Sequence, residues 1–310
     1  MPVQSTPQVT VKATVQTTPQ ATVQTTVQAK SSVRFLGWAP LTWYVLFLLA
    51  PLAIVVASSF AARGLYGGIE WRFSAANFTR AFDPLYLSIL LKSFALSIAT
   101  TAACFLIGFP VAYSMATASA RRRNVLIMLL AIPFLTNLVI RICALKAITS
   151  FDGPLATALT WLHIGFDPYL LSQNATLVAF GMVSTYLPFM VFPLYASLER
   201  FDFTLVEAAE DLGATFFQVC THVVIPSLKA AMLSGVLLVF IPAMGEFLIP
   251  DLLGGAKIML AGNLVSEQFL KARDWPFGSA LSVILMLLLS LVVILVRRWE
   301  NPPAEGGATT

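Results

Sequence analysis

Composition, span length and backbone pairing together predict an all-α integral membrane protein with six transmembrane helices. Of the 310 residues, 58% are hydrophobic and only 11% charged, and the mean hydropathy is +0.82. A water-soluble surface carries far more charge than this chain can supply. Six apolar runs of about 20 residues, the length that crosses a hydrocarbon core, follow one another along the sequence. They lack the alternation of barrel strands, and lipid leaves no backbone polar group unpaired, so each run is helical.

Residues 1–33 are a different material, a Thr/Gln/Pro-rich tract with the near-repeat VQTTPQATVQTTVQA. It has too few large apolar side chains to bury surface, so a disordered cytoplasmic tail is expected. A signal peptide is not expected, because the apolar run begins near Phe35 and the early charge is Lys12. The membrane domain covers residues 34–300, with spans at about Leu36–Phe60, Ser93–Ala118, Val125–Ile148, Thr176–Leu198, Ala230–Pro250 and Phe277–Val296. Pro51, Pro110, Pro133, Pro188, Pro193 and Pro242 are expected to break or kink them. Residues 301–310 form a short tail.

Orientation follows from basic residues. Lys30, Arg34, Arg121, Arg122, Arg123, Arg200, Lys229, Arg297 and Arg298 all fall on one side of a six-span chain, which the positive-inside rule makes cytoplasmic. Arg63, Arg72, Arg80, Lys257, Lys271 and Arg273 fall on the other side, in longer loops of mixed charge. Both termini are then cytoplasmic, and so is the loop at about residues 199–229. The net charge of +4 comes without the basic, aromatic-interleaved stripe of a nucleic-acid surface, so no nucleic-acid partner is expected.

That loop holds an amphipathic, acidic segment from Glu207 to Pro226, EAAEDLGATFFQVCTHVVIP. Thr204 precedes Glu207 by three residues and Thr215 precedes Gln218 by three, two helix-start signatures in which a hydroxyl caps and the Glu or Gln reaches back. Gly213 between them suits the left-handed residue that ends a helix. The reading is helix, glycine turn, helix. Leu205, Ala208, Ala209 and Leu212 share one face of the first helix, to pack on the membrane domain or in a partner's groove. Glu207 either caps its own helix or fixes the loop to a partner.

The order E-A-A, three residues, G, nine residues and then Val223-Val224-Ile225-Pro226 resembles the EAA loop of ATP-binding-cassette importer permeases, with Val223 and Ile225 as conservative departures. The resemblance implies the type I importer permease (MetI-like) fold and a coupling role for Glu207, Ala208, Ala209, Gly213 and Pro226 on a separate ATPase. The implied partners are ABC ATPase subunits, a second permease subunit that is a paralogue, an extracytoplasmic solute-binding protein and the lipid bilayer of a bacterial inner membrane. No GxxxxGK[ST] sequence occurs in the chain, so a transport subunit without its own ATPase site, and not an enzyme, is expected.

From Thr136 to Trp275 the chain is similar to polyamine importer permeases, of the spermidine and putrescine type. The similarity rests on LVIRICALKAI around Arg141, TYLPFMVFPLYASLERFDFTLVEAAEDLGA from Thr185, LLVFIPAMGEFLIPDLLGG from Leu237 and RDWPFGSA from Arg273. Cys143, Ala144 and Leu145 stand where the polyamine group places Tyr-Ala-Trp, so permeases for opines or other small organic solutes stay in view. Glu246 within the fifth span and Asp251 at its outer end are costly intramembrane carboxylates. With Tyr186 and Trp43 they are the candidate residues of a cationic solute's pathway, through ion pairing and cation–π contact. The alternative for Glu246 is a structural pair with Arg141 or Lys146. A secondary transporter would show paired broken spans or internal repeats, and no clear duplication is present.

His163 and His222 fall in opposite compartments. Cys104, Cys143 and Cys220 show neither CxxC spacing nor a ligand cluster, so no metal site or cofactor is expected.

Overall fold

The computed structural model describes residues 32–161, 174–255 and 257–300. Of the tail expected over residues 1–33, residues 1–31 lie outside the described residues, as do the tail 301–310 and His163, whereas Ser32 and Val33 already belong to the first helix. The chain divides into two units, Met1–Pro51 and Leu52–Thr310. In the first unit, helix α1 (Ser32–Ser59) begins, and Trp43 stacks on Phe47 with ring centroids 4.3 Å apart. Trp43, Tyr44, Phe47 and Leu48 are all exposed.

The second unit continues through a short antiparallel hairpin, β1 (Ala62–Arg63) and β2 (Ile69–Glu70), then α2 (Ala76–Ala81) and the long α3 (Pro84–Thr117). After it come α4 (Ala120–Leu135), α5 (Leu138–Ile148), α6 (Pro154–Trp161) and α7 (Ala175–Leu198). Next are α8 (Thr204–Asp211), α9 (Phe216–Val219), a π-helical turn (Cys220–Val224), α10 (Ile225–Ser227) and α11 (Lys229–Met244). The chain ends in α12 (Leu248–Leu253), α13 (Ala261–Leu270) and α14 (Trp275–Glu300). Among the described residues, four helices are long and apolar enough to cross a membrane, or up to six spans if each of two bent pairs counts as one.

The core lies where α7 packs against α3 and α11. Met182, Met190, Val191, Leu194 and Leu198 of α7 are fully buried there, with Cys104, Ala112 and Met115 of α3. Close approach needs small residues. A Cβ on Gly108 would sit 3.1 Å from Met190 Cγ, and one on Gly235 only 2.8 Å from Met190 Sδ. Membrane helices lack a hydrophobic drive towards one another, so contact of this kind is what holds them. Outward residues such as Leu106, Met128, Leu129, Ile132, Leu287 and Leu291 stay exposed, as lipid-facing or partner-facing surface requires.

Two expected spans depart from continuous helix. The third is broken, with α4 and α5 meeting at 93°. Its cause is local: Thr136 Oγ1 donates to the Pro133 carbonyl, and Asn137 Oδ1 accepts from the amides of Val139 and Ile140, so one helix is closed and the next is capped within two residues. The fifth ends at Met244 and restarts at Leu248. Glu246 is therefore not inside the helical span but in the break beyond it. Of the six prolines expected to break or kink helices, Pro133 and Pro242 precede these breaks, whereas Pro51, Pro110, Pro188 and Pro193 lie within unbroken helical stretches.

At the end remote from the α8–α9 loop, Asp274 organises the surface. It is 1% exposed and pairs with Arg80 at 2.8 Å and Arg63 at 3.5 Å, while its Oδ1 accepts from the Phe277 amide at the start of α14. Arg80 also lies over the Phe277 ring, 4.0 Å from its centroid. Burial works against the Arg80 charge, but the hydrogen bonds to Asp274 and Tyr86 outweigh it and raise the guanidinium pKa.

Candidate coupling loop and solute pathway

The segment after α7 folds as helix, glycine turn, helix. The start of α8 is capped by Asp202, not by Thr204: Asp202 Oδ1 accepts from both the amide and the hydroxyl of Thr204. An acidic side chain two residues upstream outcompetes the hydroxyl, and the Glu207 side chain makes no hydrogen bond or ion pair among the described residues. Those bonds from the Thr204 hydroxyl and then its amide hold the Asp202 carboxyl below the usual carboxylate range.

The end of α8 follows the sequence. Gly213 has φ +84°; its amide bonds to the Glu210 carbonyl at 2.8 Å and the Ala214 amide to the Ala209 carbonyl at 3.1 Å, the Schellman pattern that satisfies the last carbonyls. At α9 the expected cap forms, since Gln218 Oε1 accepts from the amide and hydroxyl of Thr215. The chain then widens into a π-turn at Cys220–Val224 and passes Pro226 in α10, bending 78° into α11.

Burial divides the loop into an anchored and a free face. Val206 and Val219 are buried and Ala209 packs on the core behind them. Leu205, Leu212, Phe216 and Phe217 are 51%, 89%, 63% and 75% exposed, and Ala208 is exposed with them. The expected single face of Leu205, Ala208, Ala209 and Leu212 thus splits, with Ala209 inward and the other three outward. Phe216 and Phe217 were not among the sequence candidates, yet two adjacent phenylalanines directly after a capping threonine in a polar loop were a readable signal. A pocket of about 430 Å³ opens between the helices, lined by Ala209, Leu212, Gly213, Gln218, His222 and Val223.

The loop is tied back to the bundle on two sides. Tyr113 of α3 meets the rings of Phe203 and Phe216 edge-on at 6.2 and 6.0 Å. Glu199 accepts from Tyr195 and pairs with Arg123 of α4 at 3.5 Å. These contacts join the loop to α3, α4 and α7.

Of the four pathway candidates, the structure brings two together. Tyr186 Oη donates to Glu246 Oε2 at 2.5 Å, both residues being under 10% exposed. Glu246 Oε1 accepts from the amides of Leu248 and Ile249, so the carboxylate also caps α12. Its partner is thus Tyr186, and neither Arg141 nor Lys146. Arg141 instead donates to the Pro133 carbonyl and to Thr185 Oγ1. Asp251 is exposed and lines a separate pocket of about 320 Å³ with Phe247, Asn263, Ser266, Glu267 and Lys271. Trp43 belongs to the other unit. Among the described residues no group of three His, Cys, Asp or Glu side chains is placed to hold a metal ion.

Comparison with known proteins places this geometry. The family described as "Binding-protein-dependent transport system inner membrane component" matches residues 104–302. The spermidine/putrescine transport system permease protein PotB of Escherichia coli strain K12 is 40% identical over 256 residues, covering 83% of this chain and 93% of that one. The protein of the same name from Haemophilus influenzae is 38% identical over 257 residues, with 83% and 90% covered. Among solved structures, a bacterial ABC transporter involved in the import of the acidic polysaccharide alginate superimposes with a TM-score of 0.69 at 13% identity, over 88% of this chain and 96% of that one. That likeness concerns the fold.

Proposed function

This chain belongs to the family of inner membrane components of binding-protein-dependent transport systems, and from that premise we propose that it is the permease subunit of a polyamine importer, carrying solutes such as putrescine and spermidine. Its loop from residue 199 to 229 lies in the cytoplasm and couples the spans to separate ATPase subunits. A paralogous second permease completes the pathway, and an extracytoplasmic binding protein delivers the solute.

The observation that carries the coupling role is the divided burial of α8 and α9. Val206, Ala209 and Val219 hold the loop on the bundle while Leu205, Ala208, Leu212, Phe216 and Phe217 face outward around the Gly213 turn. An apolar patch on rigid, capped helices at the membrane edge is costly to leave in water and fits a groove on a partner. Glu207, exposed and unpaired, is free to meet a basic side chain of that partner. Pro226 ends the loop where the chain turns into α11. When the ATPases close on ATP, the loop moves with them, and α7 and α11 carry the motion inward.

The polyamine reading rests on the two PotB relatives and fits the acidic side chains near the opposite end. Asp251, exposed in its pocket beside Glu267 and Phe247, is the first carboxylate an ammonium group meets. Glu246 and Tyr186 line the next stage, with the carboxylate offered to the ammonium group while the Tyr186 hydroxyl holds it in place. Trp43, in the other unit, offers an aromatic face suited to a cation.

Reconstitution with the cognate binding protein and ATPase tests this. Putrescine or spermidine should stimulate ATP hydrolysis and accumulate inside proteoliposomes. Stimulation by an opine and by neither polyamine would overturn the substrate assignment; absence of a co-purifying ATPase would overturn the coupling role.

A further inference from the structure

The two breaks in spans three and five are held by neighbouring residues of one helix. At the first, Arg141 of α5 reaches back over the break to the Pro133 carbonyl at 3.0 Å and across to Thr185 Oγ1 of α7 at 3.2 Å. At the second, Glu246 takes the freed amides of Leu248 and Ile249, and its other oxygen takes the Tyr186 hydroxyl of α7. Consecutive residues on a helix point about 100° apart, so Thr185 and Tyr186 face different neighbours and serve one break each. The α7 ends of both sets are buried, Thr185, Tyr186 and Glu246 being 7%, 6% and 8% exposed, while Arg141 is half-buried and Pro133 exposed. A backbone break inside a membrane protein persists only where polar groups satisfy it, and here both sets of satisfying groups end on α7.

Apolar packing joins the same three elements. One turn before Thr185, Gly181 lies where α12 and α5 converge on α7; a Cβ there would be 2.7 Å from Leu253, 3.1 Å from Ile249 and 3.9 Å from Leu145. The break at Glu246 is also gripped from α13, where Asn263 donates to the Phe247 carbonyl at 2.7 Å.

We propose that Thr185 and Tyr186 are positioning residues that pin α5 and α12, the halves of spans three and five remote from the coupling loop, to α7 as one block, so that transport moves the block as a unit. The proposal rests on the permease reading above. It gives Glu246 and Arg141 a shared task although they do not touch each other.

The test uses the assembled importer with its binding protein, measuring ATP hydrolysis and solute moved per ATP with spermidine and putrescine. Thr185→Val should keep stimulated hydrolysis while solute moved per ATP falls by roughly fivefold, and Tyr186→Phe should lower the same ratio at saturating solute. Thr185→Ser should restore the ratio, because it keeps the accepting hydroxyl. A residue that only stabilised the fold would lower both quantities with the amount of complex. A residue that only touched solute would raise the solute KM in Tyr186→Phe and leave Thr185→Val unchanged. Either pattern overturns the proposal, as does failure of Thr185→Ser to restore.

A solute-independent measurement separates this from failure of the polyamine reading. Cys104 and Cys220 are buried and Cys143 of α5 is exposed, so spin labels at Cys143 and at Asp251→Cys of α12 report the block directly. One distance, shared by the nucleotide-free and ATP-vanadate states, is expected in the wild-type background and broadened in Tyr186→Phe. A shift between the two states in the wild-type background overturns the block.

Discussion

Gly213 shows most directly how one residue sets the coupling loop. Nothing lies within 4 Å of where its Cβ would be, so a side chain there meets no obstacle except its own backbone at φ +84°. Gly213→Val should cost about 1–2 kcal/mol locally through that conformation and remove binding-protein-stimulated ATP hydrolysis while the chain still inserts; normal stimulated hydrolysis would count against the coupling role. Asp274 is the opposite case, a buried charge with two arginine partners. Asp274→Ala strips Arg63, Arg80 and the start of α14 of their partner at once. Because the arginine side chains are 50% and 43% exposed, the cost is screened to about 2 kcal/mol, to be read as a lowered unfolding temperature in detergent. Glu246→Gln keeps an oxygen to accept from the α12 amides and places an NH2 that donates to the Tyr186 hydroxyl oxygen, so assembly should survive; unchanged uptake over a range of spermidine concentrations would reject a solute-contacting role for the charge.

Broken spans are the defining elements of this fold, and their ends are made by short-range capping. Asn137→Ala removes the cap of α5 and should cost about 1 kcal/mol, with the 93° bend less well defined. Measured by hydrogen exchange, the Val139 and Ile140 amides should lose protection before those of α7. The break at Gly245 is tighter still. A Cβ on Gly262 would lie 2.4 Å from the Gly245 carbonyl and 2.7 Å from that of Glu246, so even Gly262→Ala must push α13 away from backbone that cannot yield. About 3 kcal/mol and a loss of assembled complex are expected, and normal complex yield with normal uptake would contradict the packing. The α8 start depends on Asp202, whose depressed pKa makes its bonds to Thr204 complete above the unfolded carboxylate pKa and lost as pH falls through the folded one.

At the scale of the second unit, the proposed coupling loop and the proposed solute pathway lie at two ends joined by α7 and α11. Cysteines placed at Ala208 or Leu212 should crosslink to an ATPase subunit in an actively transporting assembly, whereas one at buried Val206 should not. Crosslinking from all three alike would deny the divided face. Much of this was legible beforehand. The membrane class and six spans follow from composition and run length, because lipid permits few architectures; the Gly213 turn and the Thr215–Gln218 cap follow from residues within a few positions of one another. What escaped was long-range or a competition between neighbours: Asp202 displaced Thr204 at a cap, Tyr186 claimed Glu246 from 60 residues away, and Asp274 drew Arg63 and Arg80 across about two hundred positions. By itself the sequence determined what must be buried in lipid and where local hydrogen bonds close a helix, since both depend on residues close in the chain. Only the tertiary structure decided which buried polar groups satisfy one another, because in a low-dielectric interior each such group must find a partner, and packing alone settles which one it meets.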